Sequence, residues 1–138
     1  MLPTWLSFYS SGADGELTAW LVDGVEPYEE DTWKKLRFKP TRLSRREEST
    51  YQVSCRTVRC KMPNVDQDDG HRHPVEPDKS LRKFREVDEG AKHMGCMGMQ
   101  VIPLFEKASA GPEHRESWLE VGMSIEVLER GHHVYIKQ

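Results

Sequence analysis

Alternation of apolar and polar positions along the chain predicts a protein built mostly of β-strands. The clearest stretch is 118–128, where apolar residues from Leu119 to Val127 alternate with polar or small ones. A period of two gives a strand one buried face and one solvated face. A short turn at 129–131 then predicts a hairpin whose second strand is 132–137, with Val134 and Ile136 pointing inward.

A second strand is predicted over 50–62, with a change of phase in its middle. Tyr51 and Val53 lie on one face, whereas Val58 and Cys60 have the opposite parity. A β-bulge or bend near 56–57 would restore the alternation, because one extra residue moves the following side chains to the other face.

Three further apolar runs complete the predicted sheet. Residues 97–105 are apolar enough for a buried strand, and Pro103 belongs at its edge or end because proline lacks an N–H. The N-terminal runs Thr4–Tyr9 and Leu17–Val22 form a predicted hairpin, since residues 10–15 between them are rich in serine and glycine.

Helix is the minor component. Residues 78–89 follow Pro77 and carry apolar side chains at a spacing of three, and 27–38 is a weaker helix with a proline at its start. Prolines and turn-forming residues make 63–77 an exposed loop. The sequence therefore predicts one α+β domain over 1–138, with about six mainly antiparallel strands and one or two short helices.

Composition limits the classes of protein to which the chain could belong. The chain has 138 residues, a net charge of −3 and 31% charged residues, and its apolar runs are too short for a transmembrane helix. The N-terminus lacks the pattern of a secretory signal, and the odd number of cysteines, three, argues against a complete set of disulfides. We therefore expect a cytoplasmic protein in a reducing compartment.

The small net charge conceals two oppositely charged segments. Residues 1–31 carry a net charge of −7, and residues 32–62 carry +8. A basic strip interleaved with aromatic residues is typical of proteins that bind the phosphates and bases of nucleic acids, and an acidic membrane surface or an acidic partner protein would be contacted equally well. The predicted contact residues are Lys34, Lys35, Arg37, Lys39, Arg42, Arg45, Arg46, Arg56, Arg59 and Lys61, with Trp33 as a stacking residue.

Three other uses of this charge separation remain open at the level of sequence. The acidic segment 1–31 could pair with the basic segment inside the domain and leave no exposed patch. It could instead pair with the basic segment of a neighbouring copy, which would build a homo-oligomer or a larger assembly. An acidic adaptor or inhibitor that binds a basic protein partner is the third use.

Two groups of residues are candidates for binding metal. Cys55, Cys60, His93 and Cys96 could form a zinc site, because thiolate and imidazole suit tetrahedral zinc. A regular strand would place Cys55 and Cys60 on opposite faces, so buried unmodified thiols are the alternative. His71 and His73 could also share an ion, but the surrounding turn residues favour a solvated loop.

Signals of nucleophilic catalysis are weak in the sequence, although Cys96 could act as a nucleophile with His93 as its base. The sequence contains no Gly-x-Ser-x-Gly and no phosphate-binding loop, and Gly95 and Gly98 favour an apolar packing strand at 93–99. His132 and His133 fall at a hairpin turn and are expected to be solvated.

The sequence thus predicts a non-catalytic binding or assembly protein without a cofactor, with a small zinc-dependent enzyme or zinc-stabilised module as the alternative.

Overall fold

The computed structural model contains a six-stranded sheet with a short helix packed against it. It describes residues 4–9, 17–105 and 117–135, with side chains from residue 21 onward. The strand order is β2-β1-β5-β4-β3-β6, in which β1 and β5 are parallel and all other neighbours are antiparallel. The elements are β1 (Thr4–Tyr9), β2 (Leu17–Val22), β3 (Trp33–Lys39), β4 (Ser49–Arg59), α1 (Asp78–Arg85), β5 (Gly95–Leu104) and β6 (Ser124–Arg130). The predicted α+β class is confirmed.

The predicted helix over 27–38 is wrong, because the second half of this segment is strand β3. Residues Glu29–Thr32 form one turn of 3₁₀ helix, and the strand begins at Trp33. Trp33 and Leu36 are both buried at a helix-like spacing of three because the pairing with β6 is irregular between them. Beyond that irregularity, Leu36 and Phe38 alternate as a strand requires.

The core lies on one face of the central strands β3, β4 and β5. The rings of Phe38 and Tyr51 meet edge to face with their centroids 5.2 Å apart. Each fully buried apolar side chain contributes about 1.5–3 kcal/mol, so this cluster is the main source of stability for the sheet. Its buried members are Trp33, Leu36, Phe38, Tyr51, Val53, Met99 and Val101.

Strands β4 and β5 carry the predicted bulge. Their pairing shifts between Val53 and Cys55 and again between Arg56 and Val58, which confirms the expected change of phase in β4. The second shift lies opposite Gly98, whose φ of +80° is a backbone conformation that glycine adopts without strain. The bulge matters for function because it lies at the end of β4 that leads to Cys60.

The predicted hairpin partner of β6 does not form in the described part of the segment. Residues 131–135 have no strand structure, and 136–138 lie outside the described residues. Side chains bind this backbone instead: Arg56 Nη1 donates to the His133 carbonyl at 2.7 Å, and Tyr135 N–H donates to Asp88 Oδ1 at 2.8 Å. Strand β6 itself starts at Ser124, later than the alternation from residue 118 predicts.

Helix α1 packs against β5 and ends earlier than predicted. A methyl group added at Gly95 would lie 2.7 Å from Leu81 Cγ, so the absence of a side chain at residue 95 permits this close packing. Ahead of the helix, residues 66–75 are exposed, as the turn residues indicate. No helix within the described ranges is both long enough and apolar enough to cross a membrane.

His133 is buried, with 1% of its surface exposed, so the prediction that it is solvated is wrong. Its Nε2 lies 2.6 Å from the Trp33 carbonyl oxygen and its Nδ1 lies 3.3 Å from Lys34 Nζ. Because a carbonyl only accepts and an ammonium only donates, the ring is neutral, with Nε2 donating and Nδ1 accepting. Burial lowers the pKa of His133 below its ordinary value of 6.5, and the nearby positive charges of Lys34 and Arg56 lower it further.

We expect the protein to lose stability as the pH falls below about 6.5. At that pH His133 binds a proton in the unfolded chain, whereas the buried ring of the folded protein stays neutral. The free energy of unfolding, measured by urea titration between pH 7 and pH 5, should decline less steeply in His133→Gln than in the wild type. His132→Gln is the matched control, since His132 is exposed. Equal slopes in His133→Gln and the wild type would contradict this assignment.

Candidate functional site around Cys60

The residues predicted to bind a polyanion do not form one exposed surface. Trp33 is completely buried in the core, so it is unable to stack on a base, and Arg56 is 6% exposed. On β3, Lys39 Nζ lies 2.7 Å from Glu126 Oε2, and Arg37 Nε lies 3.3 Å from Glu48 Oε1. Lysine and arginine side chains of β3 are thus paired with carboxylates of neighbouring segments.

The remaining basic residues are divided between two ends of the sheet. Arg42, Arg45 and Arg46 lie on the loop after β3, where the Arg46 guanidinium stands 4.7 Å from the centre of the Trp118 ring. Arg59 and Lys61 lie at the opposite end of β4. Lys34 contacts His133, and Lys35 lies 4.0 Å from Glu129.

A buried ionic network joins the acidic segment, β4 and α1. Arg56 Nη1 donates to Asp88 Oδ2 at 2.9 Å, and its Nε lies 3.5 Å from Asp31 Oδ1. Arg85 donates to both oxygens of Asp31 at 2.9 Å and stacks 4.1 Å from the Tyr28 ring. Asp31 reaches Arg56 from the described part of the acidic segment, and these contacts connect the 3₁₀ turn, the helix and the sheet.

The three cysteines occupy different environments. Cys96 is buried, Cys55 is half-buried and Cys60 is exposed. Burial raises the pKa of both the Cys55 and the Cys96 thiols, so these two stay protonated near neutral pH. A metal ion or an electrophile must be able to reach the sulfur, so the exposed Cys60 is the candidate among the three.

The structure does not bring the predicted zinc ligands together. Within the described residues, no three side chains of His, Cys, Asp or Glu lie close enough to hold a metal ion. Cys55, Cys60 and Cys96 differ in burial, and His93 is 85% exposed at its side chain. His71 and His73 are also exposed, as the solvated-loop alternative predicts.

Two cavities meet at Cys60. The first, which we call the neutral cavity, has a volume of about 440 Å³ and is lined by Thr57, Val58, Arg59, Cys60, Met62, Pro63, Gln67 and Gln100. The second, the basic cavity, has a volume of about 400 Å³ and is lined by Arg59, Cys60, Lys61, Asp78, Arg82, His93 and Met94. Both volumes fall within the range of small-molecule sites. Arg59 and Cys60 border both cavities, and the Met62 N–H donates to Cys60 Sγ at 3.4 Å.

The position of Arg59 depends on the bulge in β5. Its Nε and Nη2 donate to the Met97 carbonyl at 3.2 and 3.0 Å, immediately before Gly98. Burial lowers the pKa of Arg59, and the nearby Cys60 sulfur offsets part of this lowering. Sequence reasoning assigned Gly95 and Gly98 only to packing and missed this arrangement. The available signal was a glycine inside a strand pattern, which often marks a bulge.

The basic cavity carries more positive than negative charge. Arg59, Lys61 and Arg82 supply three cations, and Asp78 is the carboxylate in its wall. Arg82 Nη2 lies 3.0 Å from Asp78 Oδ2, whereas no described residue forms an ion pair with Lys61 or Arg59. Such a cavity suits an anion with several oxygen atoms, because arginine presents several N–H donors to phosphate or carboxylate.

Comparison with known proteins identifies the family. The family model of the MOSC domain matches residues 18–126, which is most of the chain. Searches of curated proteins and of solved structures give no match. MOSC domains are molybdenum-cofactor sulfurase-like domains found in molybdenum-cofactor-binding proteins, some of which are enzymes.

Two predictions from the sequence are overturned by this match. The main function, a non-catalytic protein that binds nucleic acid, an acidic membrane or an acidic partner, is wrong, because the family is one of cofactor-related modules. The predicted absence of a cofactor is wrong for the same reason. The prediction of polyanion binding failed because the net charge of a segment does not reveal which of its basic side chains are already paired with carboxylates. The chain belongs to the MOSC domain family.

Proposed function

We propose that this protein binds a molybdenum cofactor, with Cys60 as the protein's thiolate ligand to the metal. The observation that carries the proposal is the placement of Cys60, the exposed cysteine, on the border between two cavities. A thiolate at this position could be reached from either cavity. When bound, the cofactor supplies the redox chemistry of molybdenum.

The residues around Cys60 fit such a group. Cys55 and Cys96 are unsuited to bind the metal because they are less exposed and line neither cavity. The organic part of a molybdenum cofactor is a pterin that carries a phosphate. Arg59, Lys61 and Arg82 would hold that anionic part from the basic cavity, because each presents N–H donors with a positive charge.

The protein's own groups also set the orientation of the site. The hydrogen bond from Met62 N–H to Cys60 Sγ directs the sulfur, and the two bonds from Arg59 to the Met97 carbonyl hold the guanidinium beside it. Asp78 holds Arg82, and the backbone N–H of Asp78 donates to Oδ1 of the buried Asn64 at 3.0 Å. The anion-binding groups are thus positioned before a ligand arrives, which reduces the entropy cost of binding.

The test is the molybdenum content of the full chain purified from a host that makes the cofactor. We expect Cys60→Ser to retain at most about one-tenth of the wild-type molybdenum, because loss of even a residue that supports a metal ligand typically costs about tenfold or more in affinity. Cys55→Ser is the matched control: it replaces another thiol by a hydroxyl and should keep its molybdenum. Elemental analysis by mass spectrometry gives the metal content per chain.

Two results would overturn the proposal. One is equal molybdenum in Cys60→Ser and the wild type, and the other is a wild-type chain without molybdenum from such a host. Because Cys60 is exposed, its replacement should leave the urea unfolding midpoint unchanged, and this measurement separates lost binding from lost folding.

A further inference from the structure

The neutral cavity contains polar groups that the protein does not use. Thr57 is 7% exposed, and no described residue forms a hydrogen bond with its buried Oγ1. A buried hydroxyl without a partner destabilises a fold, so such groups are rare in folded proteins. Thr57 lines the neutral cavity, where a ligand would supply the missing partner.

The two glutamines of this cavity present a donor and an acceptor. Gln67 Nε2 donates to the Val65 carbonyl at 3.1 Å, which leaves its Oε1 as an acceptor. The Cys55 thiol donates to Gln100 Oε1 at 3.6 Å, which leaves the two N–H groups of Gln100 as donors that no described residue accepts. The Val65 carbonyl only accepts, so the orientation of the Gln67 amide is determined by its surroundings.

The rest of the lining is apolar or neutral except at its border with Cys60. Val58, Met62 and Pro63 supply flat or flexible apolar surface, and Arg59 is the one ionisable residue besides Cys60 among the described lining residues. A charged ligand would lose hydration here without gaining a partner of opposite charge, apart from Arg59. The lining therefore favours an uncharged molecule with an apolar face and a polar edge.

We propose that the neutral cavity binds an uncharged planar heterocycle through its amide-type edge, with Thr57, Gln67 and Gln100 as the recognition groups. A cyclic amide presents a carbonyl acceptor next to an N–H donor, which matches the donor of Gln100 and the acceptor of Gln67. Pterins and oxopurines are rings of this class. The inference rests on the proposed function, because it places the ring beside the Cys60 ligand.

Such a ring has two sources, the pterin of the cofactor itself or a free substrate. Fluorescence titration with free pterin addresses the site directly, using the full chain stripped of metal and cofactor. We expect pterin to bind the wild type, and Thr57→Val and Gln100→Leu each to weaken binding about fivefold, the effect of one lost hydrogen bond. Thr50→Val, a change of the same kind at the other end of β4, should leave binding unchanged.

A second ligand, in which the hydrogen-bond donor and acceptor of the edge are exchanged, makes the test more specific. In 2,4-diaminopteridine an amino donor replaces the carbonyl and the neighbouring ring nitrogen becomes an acceptor, so we expect at least about fivefold weaker binding than for pterin. Thr57→Val should not lower the urea midpoint, because it removes a hydroxyl that has no partner. If Thr57 had a structural role, Thr57→Val would lower the urea midpoint.

Titration of the chain loaded with cofactor distinguishes the two sources. Exclusion of free pterin from the loaded chain would mean that the cofactor's ring fills the cavity, and unchanged binding would identify a separate substrate site. Failure of the stripped chain to bind either pterin or hypoxanthine, or equal binding in Thr57→Val, Gln100→Leu and the wild type, would overturn the inference. The molybdenum content of Cys60→Ser is a separate measurement, so failure of this inference is distinct from failure of the proposed function.

Discussion

Asp88→Ala is expected to lower the free energy of unfolding by about 3–5 kcal/mol, because it leaves the buried guanidinium of Arg56 without its closest charged partner. The Asp88 side chain has no exposed surface, and that of Arg56 is 8% exposed. Asp88 Oδ1 also accepts from the backbone N–H groups of Gly90 and Tyr135. One carboxylate therefore holds β4 and two loop segments together, and its loss removes an acceptor from the part-buried Gly90 and Tyr135 N–H groups as well as the charge partner of Arg56.

Low pH should reduce the stability that the Asp88 carboxylate contributes. Burial alone would raise the pKa of Asp88, but hydrogen bonds from Tyr135, Arg56 and Gly90 outweigh it, and the pKa lies below its ordinary value of 3.8. A lowered carboxyl pKa contributes stability that is present above the unfolded value and lost as the pH falls through the folded one. The part of the acid unfolding that occurs below pH 3.8 should therefore be reduced in Asp88→Asn.

Urea unfolding followed by circular dichroism measures both effects. Glu126→Ala is the matched control, because Glu126 forms an exposed ion pair with Lys39, and exposed pairs contribute little. The double variant Arg56→Met with Asp88→Ala should recover part of the loss, since no unpaired charge then remains buried. Equal losses in Asp88→Ala and Glu126→Ala would refute the network's role.

Trp33→Ala should also cost about 3–5 kcal/mol, the range found when a large aromatic side chain is removed from a core. Trp33 has no exposed surface and packs in the cluster formed by β3, β4 and β5. The cavity left behind is too large for neighbouring side chains to fill without moving the strands. The result would assign Trp33 to folding and not to ligand binding.

Trp118→Ala is the comparison for Trp33→Ala, because Trp118 is 55% exposed. We expect a much smaller shift of the urea midpoint for that variant, again followed by far-ultraviolet circular dichroism, which does not depend on the tryptophan signal. A loss in Trp33→Ala no larger than in Trp118→Ala would show that Trp33 is not central to the core.

The sheet could be predicted from sequence where alternation is regular. The strands Thr4–Tyr9 and Leu17–Val22 appear with the predicted bounds, and the bulge in β4 lies where the phase changes. Prediction failed where tertiary contacts replace the local pattern. An irregular pairing gave β3 the spacing of a helix, and the backbone after β6 is bound by Arg56 and Asp88 and not by a neighbouring strand.

The site was only partly predictable. Cys60, Arg59 and Lys61 were among the candidate residues, but they belonged to two different hypotheses, one about zinc and one about polyanions. What joins them is the fold of β4 against the β5 bulge, which depends on Gly98 and the Met97 carbonyl. Charge counted along the sequence missed this because Arg37 and Lys39 have nearby carboxylates, whereas Arg59 and Lys61 form no ion pair within the described residues.

The parallel pairing of β1 with β5 has a consequence for synthesis on the ribosome. Leu6 aligns with Met99, so the first strand emerges long before its inner neighbour has been translated. Until then the hairpin of β1 and β2 has an unpaired edge, and pairings between distant parts of a chain form slowly. Until β5 has left the exit tunnel, this edge therefore remains open to pairing with other strands.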